Sequence, residues 1–564
     1  MAVGQGRLAA HWPVGLVLAC YVVSAWVIPT LANVAVTDDW VYYRTVEQLL
    51  ADHVLRVHEM ASAALVFQTV WGAGFAALLG LSFGVLRVST VVMVGLSGIA
   101  FYSLCRALDV SHGRSALGTA AYLFHPLALS LAYTFMTDSY FTSLLVVSLC
   151  LYVLGLRPGC PRSGYVLLGS LAAAGAILVR QQGVLLPAAV VGALVIGGRL
   201  TRSRQGIVVL LQTSAIPAAV TVAFAGWLRY ANGVPWALTL FRDDLVQPGL
   251  MPVVQLVPRL AVTEALYAGF FVLALAVAVL PALLLTRASL RPAAWWALGA
   301  WLILVVGGSA TFWQRGALMP YVGQFVTSTG FGPEDLIAAR PVLLDAAAQA
   351  ALTVACALAA ATIGVALARR LGTPPRDTSA GAGIVGGVAV GQILGTFPAS
   401  VHFINWGGTL DRYLLPLLPV SIALLLWAVR GVRLTEPLAW GAVAVVGAFA
   451  VAGTHDHLAF LDGVWSLARE ANALGVPNTR LDAGAGWDGF FLYERPPSPE
   501  RPSRTPNPPW WIDLFAPATD SSYVVAGAPL ADYAIVQERS YPSWLHGHPV
   551  PLYLLRRPDV PGPP

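Results

Sequence analysis

The 564-residue sequence has no lysine, so all 33 of its basic side chains are arginine. Charge of either sign is scarce: charged residues make up 11% of the chain, against 57% hydrophobic residues. The mean hydropathy is +0.70. That balance excludes the string of soluble domains that the length alone suggests. The five cysteines are Cys20, Cys105, Cys150, Cys160 and Cys356. None has metal-ligand spacing and none falls after residue 454, which excludes a disulfide scaffold. A Gly-rich phosphate loop, a nucleotide-binding fingerprint and a metal motif are all missing. The arginines are scattered rather than gathered on one face, so nucleic acid is not a partner. The sequence has no internal repeat of the kind that builds two-halved transporters.

What the sequence has is apolar runs. They lie near 14–31, 88–104, 115–134, 138–156, 165–180, 184–198, 207–227, 264–285, 293–310, 342–366, 381–397, 413–429 and 437–453. Runs of this length predict about thirteen membrane-spanning helices. The first reads as an uncleaved span. Residues 61–83 are apolar but broken by Gly72, Gly74 and Gly80, which predicts an interfacial or re-entrant helix. Arginines fall in every second loop: Arg106 and Arg114, Arg157 and Arg162, Arg199 to Arg204, Arg287 and Arg291, Arg369 to Arg376, and Arg430 and Arg433. The positive-inside rule makes those loops cytoplasmic. The loop after the first span, the loops 228–263 and 311–340, and everything after 453 are then outside. The expected architecture is an all-α polytopic membrane domain, 1–453, followed by a small extracytoplasmic α/β domain, 454–564. In the tail, 458–474 predicts an amphipathic helix, 533–536 and 550–555 predict strands, and the proline-rich 496–509 predicts a loop. Pro551 restricts the second strand to a sheet edge.

The charges that stand out lie at the outer ends of apolar runs. Thr37-Asp38-Asp39-Trp40-Val41-Tyr42-Tyr43-Arg44 follows the first run, and its continuation to residue 57 has the spacing of an interfacial amphipathic helix. Asp38 and Asp39 are also what a helix N-terminus prefers, so capping alone accounts for them. Asp138, in Thr134-Phe135-Met136-Thr137-Asp138-Ser139-Tyr140-Phe141, opens a span after a very short turn. A carboxylate at that depth is costly unless it is paired or faces a wet cavity. It caps a helix, or it takes a proton, or it holds a cation. A divalent cation is therefore left open, and no other cofactor is called for. Arg180-Gln181-Gln182 and Asp411-Arg412-Tyr413 put arginine on the outer side, against the trend of the chain. Snorkelling to lipid phosphate explains them, and so does a cradle for a substrate phosphate. His402, with Asn405 and Trp406, precedes Asp411 and is placed to contact a sugar. His125 before Pro126 reads as a satisfied histidine at a kink.

Taken together these segments resemble the GT-C membrane glycosyltransferases. The carriers are Asp38-Asp39 in the first external loop, Met136-Thr137-Asp138 in the second, Arg180-Gln181 in the third, and Asp411-Arg412-Tyr413-Leu414-Leu415-Pro416 before a late span. The branch is that of bacterial relatives of the dolichyl-phosphate-mannose protein mannosyltransferases and the aminoarabinose transferase. That resemblance implies a polyprenyl-phosphate-linked sugar as donor and inversion at the anomeric carbon. It implies a lipid, glycan or protein as acceptor, and work at the outer face of the cytoplasmic membrane. It makes Asp38 the base, with Asp39 and Asp138 beside it. Tyr42, Arg44, Arg180, Gln181, His402, Arg412 and Tyr413 are the expected substrate contacts. Two departures stand out: the acidic pair is Asp-Asp where relatives often have Asp-Glu, and 61–68 replaces a Glu-Lys-Pro-Pro-like segment. A transporter or glycolipid flippase is the rival class; it would bury charges near mid-span rather than crowd them on one face.

Overall fold

The computed structural model describes residues 2–561 except 158–161, 287–289, 339, 372–378, 407, 497–502 and 506–507. Cys160, Arg287, Arg376 and part of the predicted 496–509 loop lie outside the described residues.

Helices occupy every predicted apolar run, but not all are long enough to cross a bilayer. Eight of the described helices have the length and composition of a span, and nine if the pair His112–Leu123 and Pro126–Ala132, bent by 63°, counts once. The first expected crossing lies on helix Ala2–Val27, 26 residues long, and three others are shorter apolar helices, Ser163–Ile177, Gln181–Ile196 and Leu417–Ala428. Among the described residues length and composition support eight or nine crossings, which does not establish the expected count of about thirteen. Helix Leu417–Ala428, at 12 residues, extends only about 18 Å by the helical rise. The bend in the pair follows from Pro126, whose ring cannot continue the preceding helix. Helix Val66–Leu79, within 61–83, is 14 residues long and also too short to span.

Small residues let the helices approach. A side chain at Gly269, on helix Leu250–Leu285, would run into the Cys356 carbonyl on helix Ala346–Leu371. Buried hydroxyls join others: Ser89 and Tyr140 meet at 2.6 Å between helices Phe83–Ala107 and Thr137–Gly155. Ser148 donates to the Gly169 carbonyl at 2.7 Å.

Three boundaries differ from the sequence reading. Much of the predicted external loop 228–263 is helical: Trp236–Val246 forms one helix, and the span expected from 264 begins at Leu250 and runs 36 residues. Pro258 sits inside it, tolerated as prolines are where neighbouring helices satisfy the freed carbonyls. The amphipathic helix of the first loop, Asp39–Asp52, stops before 57, where His53 takes a left-handed φ of 56°. Finally, Glu436–Ala473 is one unbroken 38-residue helix, so the change of composition at 454 falls inside it.

The tail beyond that helix holds a four-stranded sheet. In chain order the described strands are β1 (Val326–Thr327), β2 (Gly330–Phe331), β3 (Leu481–Asp482), β4 (Tyr523–Ala526), β5 (Ala534–Tyr541) and β6 (Val550–Arg556). β1 and β2 pair with each other, and the tail sheet has the order β3-β4-β6-β5. β6 is therefore interior, not an edge strand. β4 pairs only with Tyr553 to Arg556, so at Pro551 the strand has a partner on the β5 side alone. The proline is accommodated because the sheet is locally two-stranded where it sits.

Candidate active site

The loop after the first apolar helix is held by Arg87. This buried arginine, on helix Phe83–Ala107, donates to the carbonyls of Thr30, Ala32 and Val34 at 2.8, 2.9 and 3.0 Å. Gly84 lies so close to Leu31 that a side chain there would collide with backbone. The loop is thereby fixed up to Thr37, which turns the chain with a φ of 43°. Asp38 then stands at the N-cap of helix Asp39–Asp52 but makes no capping bond. Its carboxylate instead meets Arg412 Nη1 at 3.2 Å. Asp39 turns the other way: it is 1% exposed and accepts the Phe135 N–H at 3.1 Å. Burial pushes Asp39 up to about 7, against the pull of Arg87 and of the Phe135 N–H. Asp39 thus ties the first loop to the second.

The second segment is as tightly built. Gln68 donates to the Phe135 carbonyl, and Thr134 Oγ1 accepts the Met136 N–H at 3.1 Å. Asp138 opens helix Thr137–Gly155 with no exposed side-chain surface. Arg180 Nη2 lies 2.8 Å from its Oδ1, and Arg180 Nε donates to Thr137 Oγ1 at 2.9 Å. Beyond this ion pair neither Asp138 oxygen has a hydrogen-bond partner among the described residues. Its effect is on Arg180, whose guanidinium it holds in place at the cavity wall.

The late segment divides its labour residue by residue. Asp411 is fully buried and accepts the N–H groups of Phe325 and Val326 at 3.0 and 2.9 Å. Burial pushes it up to about 6, opposed by those N–H groups. It clamps the loop 322–326 onto the Asp411–Leu414 turn. Arg412 and Tyr413 point the opposite way, into open space. The Tyr413 ring lies between two guanidinium groups, 5.1 Å from Arg180 and 5.2 Å from Arg412. Arginine faces stack on aromatic rings in this way and keep their N–H fork free.

These side chains line a cavity of about 2050 Å³. Of the ten predicted site residues, Asp38, Tyr42, Arg180, Gln181, His402, Arg412 and Tyr413 line it. Asp138 stands behind Arg180. Asp39 and Arg44 do not reach it. Arg44 donates to Glu47 at 2.7 Å and to the Phe490 carbonyl at 2.9 Å, and lies over the Phe490 ring, so it joins the first loop to the tail. His402 meets Asp244 at 2.7 Å. Burial pushes the Tyr42 phenol up strongly, since Asp38 and Asp138 add to it and Arg412 and Arg180 only partly oppose it. The cavity lining also includes the apolar side chains of Ile177, Val184, Phe224, Leu228, Leu240 and Leu394.

The sequence reading missed several lining residues. Asp335 and Gln324 come from the loop 311–340, Asp244 from helix Trp236–Val246, and Asp513 from helix Trp510–Phe515 in the tail. Loop composition gave no contrast by which to single them out. Glu264, expected at a span end, lies well inside helix Leu250–Leu285 and accepts from Thr396. Among the described residues no group of three or more His, Cys, Asp or Glu is arranged to hold a metal ion.

The arrangement is a pair of arginines and a partly exposed carboxylate lining one cavity together with apolar side chains. No family profile matches the chain, and no curated protein matches it. Solved structures do. ArnT from Cupriavidus metallidurans bound to undecaprenyl phosphate is similar over 98% of this chain and 99% of its own, at 16% identity and a TM-score of 0.34. The S. cerevisiae protein O-mannosyltransferase complex bound to its sugar donor is similar over 39% of this chain and 34% of its own, at 16% identity and a TM-score of 0.32. For the oligosaccharyltransferase AglB from Archaeoglobus fulgidus, with an inhibitory peptide and a dolichol-phosphate, the shares are 83% and 52%, the identity 13% and the TM-score 0.33. This chain thus spans about a third of the yeast chain and about half of the archaeal one. Likeness at these scores decides nothing about activity, and the functional reading rests on the site.

Proposed function

We propose that the chain is a membrane glycosyltransferase that moves a sugar from a polyprenyl-phosphate donor to an acceptor hydroxyl, with inversion. One observation carries the reading: Asp38, Arg412 and Arg180 line a single cavity together with apolar side chains. A carboxylate, two guanidinium groups and an oily trough are what a lipid phosphate and a sugar transfer require. Helix Arg204–Trp227, which supplies Phe224 to that trough, is little covered by protein and so faces lipid. The prenyl tail would lie along it.

The arginines are held ready by carboxylates. An arriving phosphate offers Arg412 a better partner than Asp38, because its oxygens accept the guanidinium fork bidentately. Asp38 is then released to take the acceptor's proton. The acceptor oxygen bonds to the anomeric carbon as the bond to phosphate oxygen breaks. Arg180 and Arg412 stabilise the charge that grows on the phosphate, an interaction strongest in the transition state. Tyr42, Gln181 and His402 border the space left for the sugar and acceptor.

The tail, 454–564, is read as an extracytoplasmic unit over this site, and the membrane as the cytoplasmic one. Trp510 and Asp513 on the cavity wall support that reading. The test is a deletion strain. Its outer-membrane, cell-wall and protein glycans are compared with the parent's, and its polyprenyl-phosphate sugars are measured. One glycan should disappear while one polyprenyl-phosphate sugar accumulates. Unchanged glycans and unchanged lipid-linked sugars would overturn the proposal.

A further inference from the structure

The cavity contains a carboxylate for which the proposed transfer has no task. Asp335 lines it beside Asp38. Asp335 Oδ2 is buried without a hydrogen-bond partner among the described residues. The Thr37 side chain, from the residue before Asp38, lies near enough to act on its carboxylate and favour its charged form. Its own backbone is pinned by the tail: the Asp335 carbonyl accepts the Ala485 N–H at 3.1 Å. Gly484 comes so close to that carbonyl that a side chain there would collide with it. Asp335 is therefore held against the first loop and the cavity together.

The charged neighbours of Asp335 come from several elements. Asp38 repels its charge from the first loop, while Arg412 from the late segment and Arg340 from its own loop attract it. Glu334, next in chain, is engaged by Thr329 at 2.7 Å. His457, on helix Glu436–Ala473, borders the small cleft behind it. Burial outweighs all of these and pushes Asp335 up to about 7, despite the lowering effect of Thr37. At neutral pH it stands near the midpoint of its titration.

Transfer creates a charge problem that such a group solves. The donor is a phosphodiester with a single negative charge. The released lipid monophosphate carries nearly two, since its second proton leaves near pH 6. The acceptor meanwhile sheds a proton into the same cavity. We propose that Asp335 is the resting place of that proton: Asp38 takes it from the acceptor hydroxyl as the glycosidic bond forms, and hands it on to Asp335. The bonding pair of the broken carbon–oxygen bond stays on the phosphate, so the new negative charge is matched by a neutral Asp335. Asp38, ionised again, can recapture Arg412 and help the lipid phosphate leave. Asp335 then returns its proton to solvent through the cavity. The inference rests on reading Arg180 and Arg412 as phosphate ligands.

The test needs neither the sugar nor the acceptor. A polyprenyl monophosphate is titrated into the full-length protein in nanodiscs at pH 8, by calorimetry in buffers of different ionisation enthalpy. At that pH the free phosphate has already lost its second proton and Asp335 is mostly ionised. Binding should draw up close to one proton per site in the wild type, and almost none in Asp335→Asn, which should still bind. Asp335→Glu, which keeps a carboxyl group, should restore uptake. It should also shift the infrared band of a protonated carboxyl that appears on binding, which identifies the group even where the amide variant does not accumulate. Binding without uptake in the wild type, equal uptake by Asp335→Asn, or an infrared band indifferent to Asp335→Glu overturns the inference while leaving the phosphate reading intact. Absence of any binding to the wild type overturns both.

Discussion

Arg412 and Asp38 meet at 3.2 Å although 374 residues of chain separate them. The contact joins the Asp411–Leu414 turn to the loop after the first apolar helix. In the proposed reaction it breaks on every turnover, when phosphate takes the guanidinium. Arg412→Gln should therefore weaken polyprenyl monophosphate binding by about 10- to 100-fold, the scale of a charge-assisted hydrogen bond. Arg412→Lys should restore little, because an ammonium cannot make the fork. Affinity measured in nanodiscs decides this, and wild-type binding by Arg412→Gln would count against it.

Arg180 and Asp138 make a different kind of pair. Arg180 is 12% exposed and Asp138 not at all. Removing only the arginine leaves a charge in the protein interior, which costs about 3–5 kcal/mol. Arg180→Gln should lower the melting temperature sharply, and Asp138→Asn/Arg180→Gln should recover most of it. Neither variant should regain transfer. A double variant as unstable as the single one would mean that Asp138 has another partner.

Asp335 gives the fold a measurable pH dependence. Its ordinary value is 3.8, and burial lifts it to about 7 in the native protein. Between those values the native state holds a proton that the unfolded chain has released. Stability from this residue is therefore full below about pH 4 and is lost as pH rises through 7. Asp39 and Asp411, raised by burial as well, act in the same direction. Asp335→Asn should flatten part of the decline in melting temperature between pH 4 and 7 without removing it. Identical slopes in wild type and variant would contradict the assignment.

The tail depends on glycine where it meets the first loop. A side chain at Gly489 would enter the indole of Trp40, which is 1% exposed. Gly489→Val should loosen the segment around helix Ala485–Leu492, seen as faster proteolytic cleavage there. Gly226→Ala is the comparison, since no atom lies within 4 Å of the new carbon. Equal cleavage rates would show that the tail does not rest on this contact.

Much of this was legible in the sequence, and the reasons for the rest are physical. Asp38, Arg180 and Arg412 stood out because a charge at the end of an apolar run contrasts with everything around it. Asp335 and Asp244 had no such contrast. They lie among other polar residues, and only contacts across hundreds of positions give them meaning. Hydropathy reported what surrounds a helix, not where it stops. Helix Glu436–Ala473 leaves its apolar surroundings near 454, but no proline follows Pro437 to break it, so it continues. Arg87, just before the apolar run 88–104, has nothing in its sequence neighbourhood to single it out. Three buried carbonyls of the first loop are satisfied by it.

The central claim is that Asp38 takes the proton of the acceptor in a reaction that consumes a lipid-linked sugar. The direct measurement uses lipid extract from a deletion strain as donor, cell envelopes of that strain as acceptor, and purified protein in nanodiscs. The rate at which polyprenyl monophosphate appears is followed for the wild type and for Asp38→Asn. The amide has nearly the same size but cannot take the proton, and general-base catalysis is worth roughly two to four orders of magnitude. The wild type should release polyprenyl monophosphate steadily, and Asp38→Asn should do so at a rate at least about 100-fold lower with the lipid still bound. Equal rates from the two proteins would contradict the claim.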